Sequence, residues 1–119
     1  MKTMKQQDSD SLAALQTEYE RLRQSLAQIG YISDGSVLHR TVEQTGRSGY
    51  QWTRKVGQKT VTVALSRPQY TALKEAIANE RQLWKTLRQM GRVSRQIIFA
   101  SAPDTRRRKR LSKKVLGFI

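Results

Sequence analysis

Between residues 10 and 29 the apolar side chains fall at Leu12, Leu15, Tyr19, Leu22, Leu26 and Ile29, spaced 3, 4, 3, 4, 3. That spacing draws a narrow stripe down one face of a helix, the pattern of a helical-hairpin or coiled-coil seam. Gln16, Glu20, Arg23 and Gln24 occupy the other face. The polar residues 1–8 read as a frayed end, with Asp8, Asp10 or Ser11 as the N-cap. Gly30 stands where a C′ stop is expected.

The period then changes. Tyr31-Ile32-Ser33-Asp34-Gly35 reads as a turn, and the Val- and Thr-rich stretch 36–44 as a strand. Thr45-Gly46-Arg47-Ser48-Gly49 reads as a loop. From 50 to 56, Tyr50, Trp52, Arg54 and Val56 alternate with Gln51, Thr53 and Lys55, a second strand. Gly57-Gln58 supplies a tight turn of the Gly-x type. In the third strand, 60–65, Val61, Val63 and Leu65 face the core and Thr60, Thr62 and Ala64 the other side. Ser66 and Gln69 have capping-box spacing and Pro68 lies in the first turn of a second helix. Tyr70, Leu73, Ile77, Trp84 and Leu87 form its stripe, widened by Ala76, Leu83 and Met90, so Trp84 reads as core. Gly91 is a point of interruption, Val93, Ile97, Ile98 and Phe99 an extension, and Pro103-Asp104 an end. Val115, Leu116, Phe118 and Ile119 add an unexpected apolar close.

These elements predict an α+β fold: a helix, a three-stranded antiparallel β-meander, a long helix and a basic C-terminal extension. The length fits one domain over 9–103, between residues 1–8 and a 104–119 tail. A helix of about 20 residues spans about 30 Å and a six-residue strand about 20 Å. The helix ends therefore outreach the sheet, and their stripes are expected to pair with each other, with a second copy or with a protein partner.

Charge changes the picture more than size does. The chain has 119 residues, 23 Lys and Arg against 9 Asp and Glu, and a formal net charge of +14. Residues 106–119 hold 7 of the basic residues and none of the acidic ones, half of that net charge. Arg106, Arg107, Arg108, Lys109 and Arg110, then Lys113 and Lys114, form a block of the kind that repels itself and binds polyanions as an extended tail. The guanidinium fork suits phosphate, so a run dominated by Arg favours that reading over a mere solubility tail. There is no cysteine, which excludes disulfides, thiolate catalysis and Cys-bound zinc. No apolar run nears the roughly 20 residues of a membrane span, and the first residues lack a signal-peptide core. The expectation is a cytoplasmic protein.

Catalysis finds no support. His39 is the only histidine, which leaves no His pair for a metal and no spare base for a nucleophile. The close acidic pairs, Asp8/Asp10 and Glu18/Glu20, are two residues apart and point to different helix faces. No phosphate-loop or dinucleotide pattern occurs. The chain is expected to be no enzyme, with no metal, cofactor or small-molecule substrate.

Nucleic-acid binding has three candidate surfaces. One face of the sheet would carry Gln51, Thr53, Lys55, Thr60 and Thr62, joined by Arg40 or His39 according to the register of the first strand. These are donors and cations that can reach base edges and phosphates from a sheet laid in a groove. An ordinary solvated sheet has the same composition, and the two readings weigh evenly. Arg47, with Arg54 and Lys59, lies on or near the loops. Trp52 and Tyr50 suit base stacking, but their alternation favours the core. On the second helix Arg81, Lys85, Arg88, Arg92 and Arg95, spaced 4, 3, 4, 3, align on one face and lead into the Arg-rich tail.

Leu26 to Gly30, Gly35-Ser36-Val37, Gly49-Tyr50-Gln51-Trp52, Gly57 to Leu65, and the helix from Tyr70 through Trp84-Lys85-Thr86-Leu87 together resemble a small uncharacterised prokaryotic domain family often encoded beside transposase genes. The resemblance covers roughly residues 20–90. It implies a link to mobile elements. Many such domains carry cysteines in the loop after the first strand; here it reads Thr45-Gly46-Arg47-Ser48-Gly49, so no metal role carries over. Strands before a helix are also similar in order to the three-stranded DNA-reading domains of some integrases, a likeness of architecture alone.

The expectation is a small basic protein that binds nucleic acid, double-stranded DNA ahead of RNA, as an accessory of a mobile element or another nucleoprotein complex. The alternative is an adaptor that holds a protein partner through its helical seams and docks on RNA or DNA with its tail; the apolar terminus Val115–Ile119 suits it, since a free tail has no reason to end in Phe118 and Ile119. A membrane surface is not favoured, since no amphipathic helix accompanies the basic run.

Overall fold

The computed structural model describes residues 4–42, 47–102, 105 and 110–119, with side chains for all of these but 4–10, 42, 47 and 48. The order is α1 (Met4–Leu26), β1 (Ser36–Val42), β2 (Arg47–Val56), β3 (Lys59–Leu65), α2 (Arg67–Ser101) and α3 (Lys113–Leu116). The fold is α+β, with a helix, a three-stranded antiparallel sheet in the order β1-β2-β3 and then a long helix. Where length suggests one domain, the chain gathers into two compact units. One comprises 1–28 and 85–119, the other 29–84, and α2 contributes to both.

The second unit is built on β2. It pairs with β1 from Ser36↔Thr53 to Val42↔Arg47, and with β3 from Tyr50↔Leu65 to Val56↔Lys59. Both β1 and β3 are edge strands. Gly57 has φ 62° and no other residue of its turn has a positive φ, the type II′ pattern whose twist matches a two-residue hairpin. The register puts Val37, His39, Tyr50, Trp52, Arg54, Val61, Val63 and Leu65 on one face. The first half of α2 meets that face at Tyr50 and His39, whereas Val61 and Val63, expected in the core, stay exposed. Tyr50 lies 4.7 Å from the Tyr70 ring and stacks on His39 at 4.5 Å. Ala76 and Ile77 are buried there.

Gly35 lets the chain cross β2 at close range. Its φ is 92°, and a Cβ on it would stand 2.6 Å from both the Thr53 carbonyl oxygen and Trp52 Nε1. Close approach lets Trp52 Nε1 donate to the Asp34 carbonyl at 3.0 Å. The Arg54 guanidinium lies 5.0 Å over the Trp52 ring. Tyr50 and Trp52 are thus half-buried members of the helix-side face, as their alternation predicts. Across the same turn, Ser33 N donates to the Ala76 carbonyl at 3.1 Å and Asn79 Nδ2 to the Tyr31 carbonyl at 2.9 Å.

Several boundaries differ from the expectation. The first helix occupies Met4–Leu26 rather than 10–29, so residues 4–8 are helical and the caps predicted at 8–11 are interior. It closes early because Ala27 and Gln28 donate to Gln24 and Ser25 in tight i→i−3 bonds. Gly30 has no positive φ and is no C′ stop. A Cβ there would instead meet Asn79 Nδ2 at 3.3 Å. The second strand begins at Arg47, inside the predicted loop, because Arg47, Ser48 and Gly49 extend the ladder with Val42, Thr41 and Arg40. The first strand ends its described run at Val42, and the predicted Glu43 and Gln44 lie outside the described residues.

α2 starts on the predicted capping box. Gln69 N donates to Ser66 Oγ at 3.3 Å, and Ser66 N donates to Gln69 Oε1 at 2.9 Å. It then runs unbroken through Gly91 to Ser101. In the first unit the buried positions are Leu22 on α1 and Thr86 and Met90 on α2. Leu12, Leu15, Tyr19 and Leu26 are half-buried in line with Leu22, so the α1 stripe is the one expected as far as Leu26, and Ile29 lies beyond the helix. The α2 stripe is the expected one at Tyr70, Leu73, Ala76, Ile77, Leu83 and Met90 and departs from it at Trp84 and at Leu87, which is exposed. Leu83 lies on the covered side, half-buried, and Trp84 is one residue and about 100° further round. Trp84 is 52% exposed, with its Nε1 donating to Glu80 Oε1 at 3.3 Å.

Two results follow. Gly35→Ala should lose at least about 1–2 kcal/mol from its positive φ alone, whereas Gly49→Ala, with nothing within 4 Å of the new Cβ, should be close to neutral in urea denaturation. Ile77→Ala should cost about 2–5 kcal/mol, and Trp84→Ala less than about 1 kcal/mol; equal costs in the same experiment would place Trp84 in the core.

Candidate nucleic-acid interface

The sheet face turned away from Tyr70 is built by the two-residue period of its strands. Ser36, Leu38 and Arg40 on β1 share it with Gly49, Gln51, Thr53 and Lys55 on β2 and with Thr60, Thr62 and Ala64 on β3. All five expected sheet residues, Gln51, Thr53, Lys55, Thr60 and Thr62, come together there. Thr53 and Thr62 pair directly, Oγ1 to Oγ1, at 3.5 Å, and Lys55 pairs with Thr60. Gln51 and Thr53 are half-buried; Arg40, Lys55, Thr60 and Thr62 are exposed. Among the residues of this face whose side chains are described there are two cations, Arg40 and Lys55, and no carboxylate. Register assigns Arg40 to it and His39 to the face with Tyr50. Leu38, 44% exposed, also lies there and was missed. Val37 and Leu38 are both apolar, so β1 alone has no readable phase. Only its pairing with Trp52 and Gln51 supplies one.

In the first unit, α2 presents Lys85, Arg88, Arg92 and Arg95, all exposed. The helix is continuous, so their 3, 4, 3 spacing keeps them on one side over about three turns. Among the described residues Lys85, Arg88 and Arg92 have no ion pair. Among the described side chains of α1, both carboxylates are engaged locally: Arg21 Nε donates to Glu18 Oε2 at 2.9 Å, and Arg23 lies 3.7 Å from Glu20. The hydrogen bond from Arg21 holds the Glu18 carboxyl below its usual range. Arg81 belongs to the second unit. There it lines an open cleft of about 280 Å³ with Lys74, Ser36, Val37, Ile77 and Ala78.

The C-terminal segment does not hang free. Ser112 caps α3, its Oγ accepting from Val115 N at 3.2 Å. Gly117, with φ 72°, closes it by a Schellman pair: Phe118 N donates to the Lys113 carbonyl at 2.9 Å, and Gly117 N to the Lys114 carbonyl at 3.2 Å. The segment docks on α2. Arg95 Nε donates to the Gly117 carbonyl at 2.6 Å, and Gln96 Nε2 to the Phe118 carbonyl at 3.3 Å. Phe118 meets Phe99 edge-on at 5.8 Å. Phe118 is therefore no free end for partner capture, and one donor of Arg95 is committed to the fold. Arg110, Lys113 and Lys114 are exposed. Arg106, Arg107, Arg108 and Lys109 lie outside the described residues, as does the Arg47 side chain.

No group of three or more His, Asp or Glu among the described residues is placed to hold a metal ion. No described helix is long and apolar enough to cross a membrane. No protein-family model, curated protein or solved structure matches the chain.

Proposed function

We propose that this protein binds nucleic acid non-enzymatically, with double-stranded DNA as its target. One observation carries the reading: Lys85, Arg88 and Arg92 stand exposed in a row on α2 without an ion pair among the described residues, in a chain of net charge +14. Aligned cations repel one another, and phosphates relieve that repulsion while releasing their own condensed counterions. The row would track a backbone. The sheet face would supply orientation and any base readout, through Gln51, Thr53, Thr60 and Thr62. Duplex DNA is favoured over duplex RNA on shape. A major groove about 12 Å wide admits β-strands, and the deep, narrow major groove of A-form RNA does not. An accessory role in a mobile element or another nucleoprotein complex is consistent with these properties. The adaptor reading loses Phe118, which is docked on α2, and keeps Val115 and Ile119, 70% and 74% exposed.

The test is fluorescence anisotropy of the full chain with duplex DNA, single-stranded DNA and duplex RNA across a salt series. Duplex DNA should bind tightest, with a steep salt dependence. Arg88→Ala with Arg92→Ala should weaken all duplexes alike and flatten the slope by about 0.9 for each phosphate that is no longer neutralised. The triple variant Gln51→Ala, Thr53→Ala, Lys55→Ala should weaken duplex DNA more than single strands. A Gln51 hydrogen bond to an adenine edge is worth about 1–3 kcal/mol of sequence preference. Absence of binding at low salt, or the same affinity in all variants, would overturn the proposal.

A further inference from the structure

We infer that the uncharged residues Leu116, Gly117 and Phe118 form a clip that completes a phosphate-backbone site in the first unit. The inference rests on the proposed binding of duplex nucleic acid. The clip adds Arg110, Lys113 and Lys114 to the cationic row of α2.

Arg88, Arg92, Arg95 and Phe99 follow one another at spacings of 4, 3 and 4 along the unbroken helix, which places them on one line down its side. The C-terminal segment docks on the far end of that line, at Arg95, Gln96 and Phe99. Leu116, Gly117 and Phe118 are half-buried in the docking, while Arg110, Lys113 and Lys114 just before them remain exposed. The clip thus holds Lys113 and Lys114, whose carbonyls accept from Phe118 N and Gly117 N, beside the end of a row that has no counter-charge among the described residues, with Arg110 two residues before the Ser112 cap. Bringing them there costs Coulomb energy, which the apolar packing and the two hydrogen bonds to α2 offset. Arg95 serves both purposes. Its Nε holds the Gly117 carbonyl, and no described group partners its two terminal nitrogens, which remain available to a phosphate. Gly117 is required twice over. Its φ of 72° favours glycine, and a Cβ would lie 2.9 Å from Arg95 Cδ. A free basic tail needs none of this; a built site does.

The experiment compares the full-length wild type with Phe118→Ala and Gly117→Ala, neither of which changes charge. Val115→Ala, at an exposed position of the same segment, is the control. Hydrogen exchange of the Gly117 and Phe118 amides reads release of the clip, circular dichroism reads the helices, and anisotropy with a 20-base-pair duplex reads binding. Both variants should lose amide protection, bind about fivefold to tenfold more weakly and show a salt slope shallower by the equivalent of about one to two phosphates. The loss should be alike on duplex DNA and duplex RNA, since the cations meet backbone; a loss confined to DNA would overturn the assignment. Val115→Ala should match the wild type. If either variant unfolds, Gln96→Ala, which removes one hydrogen bond to Phe118, takes its place. Released protection with wild-type affinity would overturn the clip and leave the proposed function standing. A wild type that binds no duplex would overturn the proposed function itself.

Discussion

Continuity of α2 is the constraint on which both units depend. A single helix of 35 residues supplies Ala76 and Ile77 to the unit of the sheet and Thr86 and Met90 to the other. A break at Gly91 would separate Met90 from Val93 and Ile97, and the row from Lys85 to Arg95 would lose its alignment. Gly91 costs about 1 kcal/mol relative to Ala in such a position. The reciprocal Ser66–Gln69 cap and the half-buried side chains on either side of Gly91 offset it. A Cβ at Gly91 would lie 3.1 Å from Arg95 Nη1, so the glycine also leaves space for the side chain that holds the clip.

The two candidate surfaces differ in how they are made. The sheet face is set by a period of two and by pairing with β2, so its polar residues are placed by the same bonds that hold the sheet. The cationic row is set by the helical period alone. Among the described residues its charges meet no carboxylate, and Glu18 and Glu20 of α1 are engaged by their own neighbours, Arg21 and Arg23. A surface of the first kind suits orientation and readout; one of the second kind suits salt-sensitive affinity.

Much of this was legible in the residues. The Tyr50–Val56 alternation, the Gly57-Gln58 turn and the Ser66–Gln69 cap each have a local physical cause, and they place the sheet and the start of α2 closely. So does the α1 stripe. What was illegible depended on partners distant in the chain. Trp84 and Leu83 are adjacent, and nothing local says which of them turns inward. His39 and Arg40 could be phased only by Tyr50 and Gly49 across the ladder. The role of Phe118 depended on Phe99 and Arg95, about twenty residues earlier, although the Gly at 117 was a readable sign of a helix end. Gly30 misled for the opposite reason: a stop signal stood there, but the helix had already closed through Ala27 and Gln28.

β3 is an edge strand whose seven residues alternate Thr and Val through most of their length, and six of them are exposed. One side of it offers a row of backbone donors and acceptors with no strand to receive them. Such an edge is a template for a second copy, and proteins usually blunt it with charge, proline or a bulge. Here the strand itself carries only Lys59. Protection falls to the net charge of the whole molecule, which keeps copies apart at a distance. Colloidal behaviour then becomes a function of what neutralises that charge: concentrated salt or excess polyanion removes the long-range repulsion and leaves the edge as the feature that decides whether the protein stays dispersed.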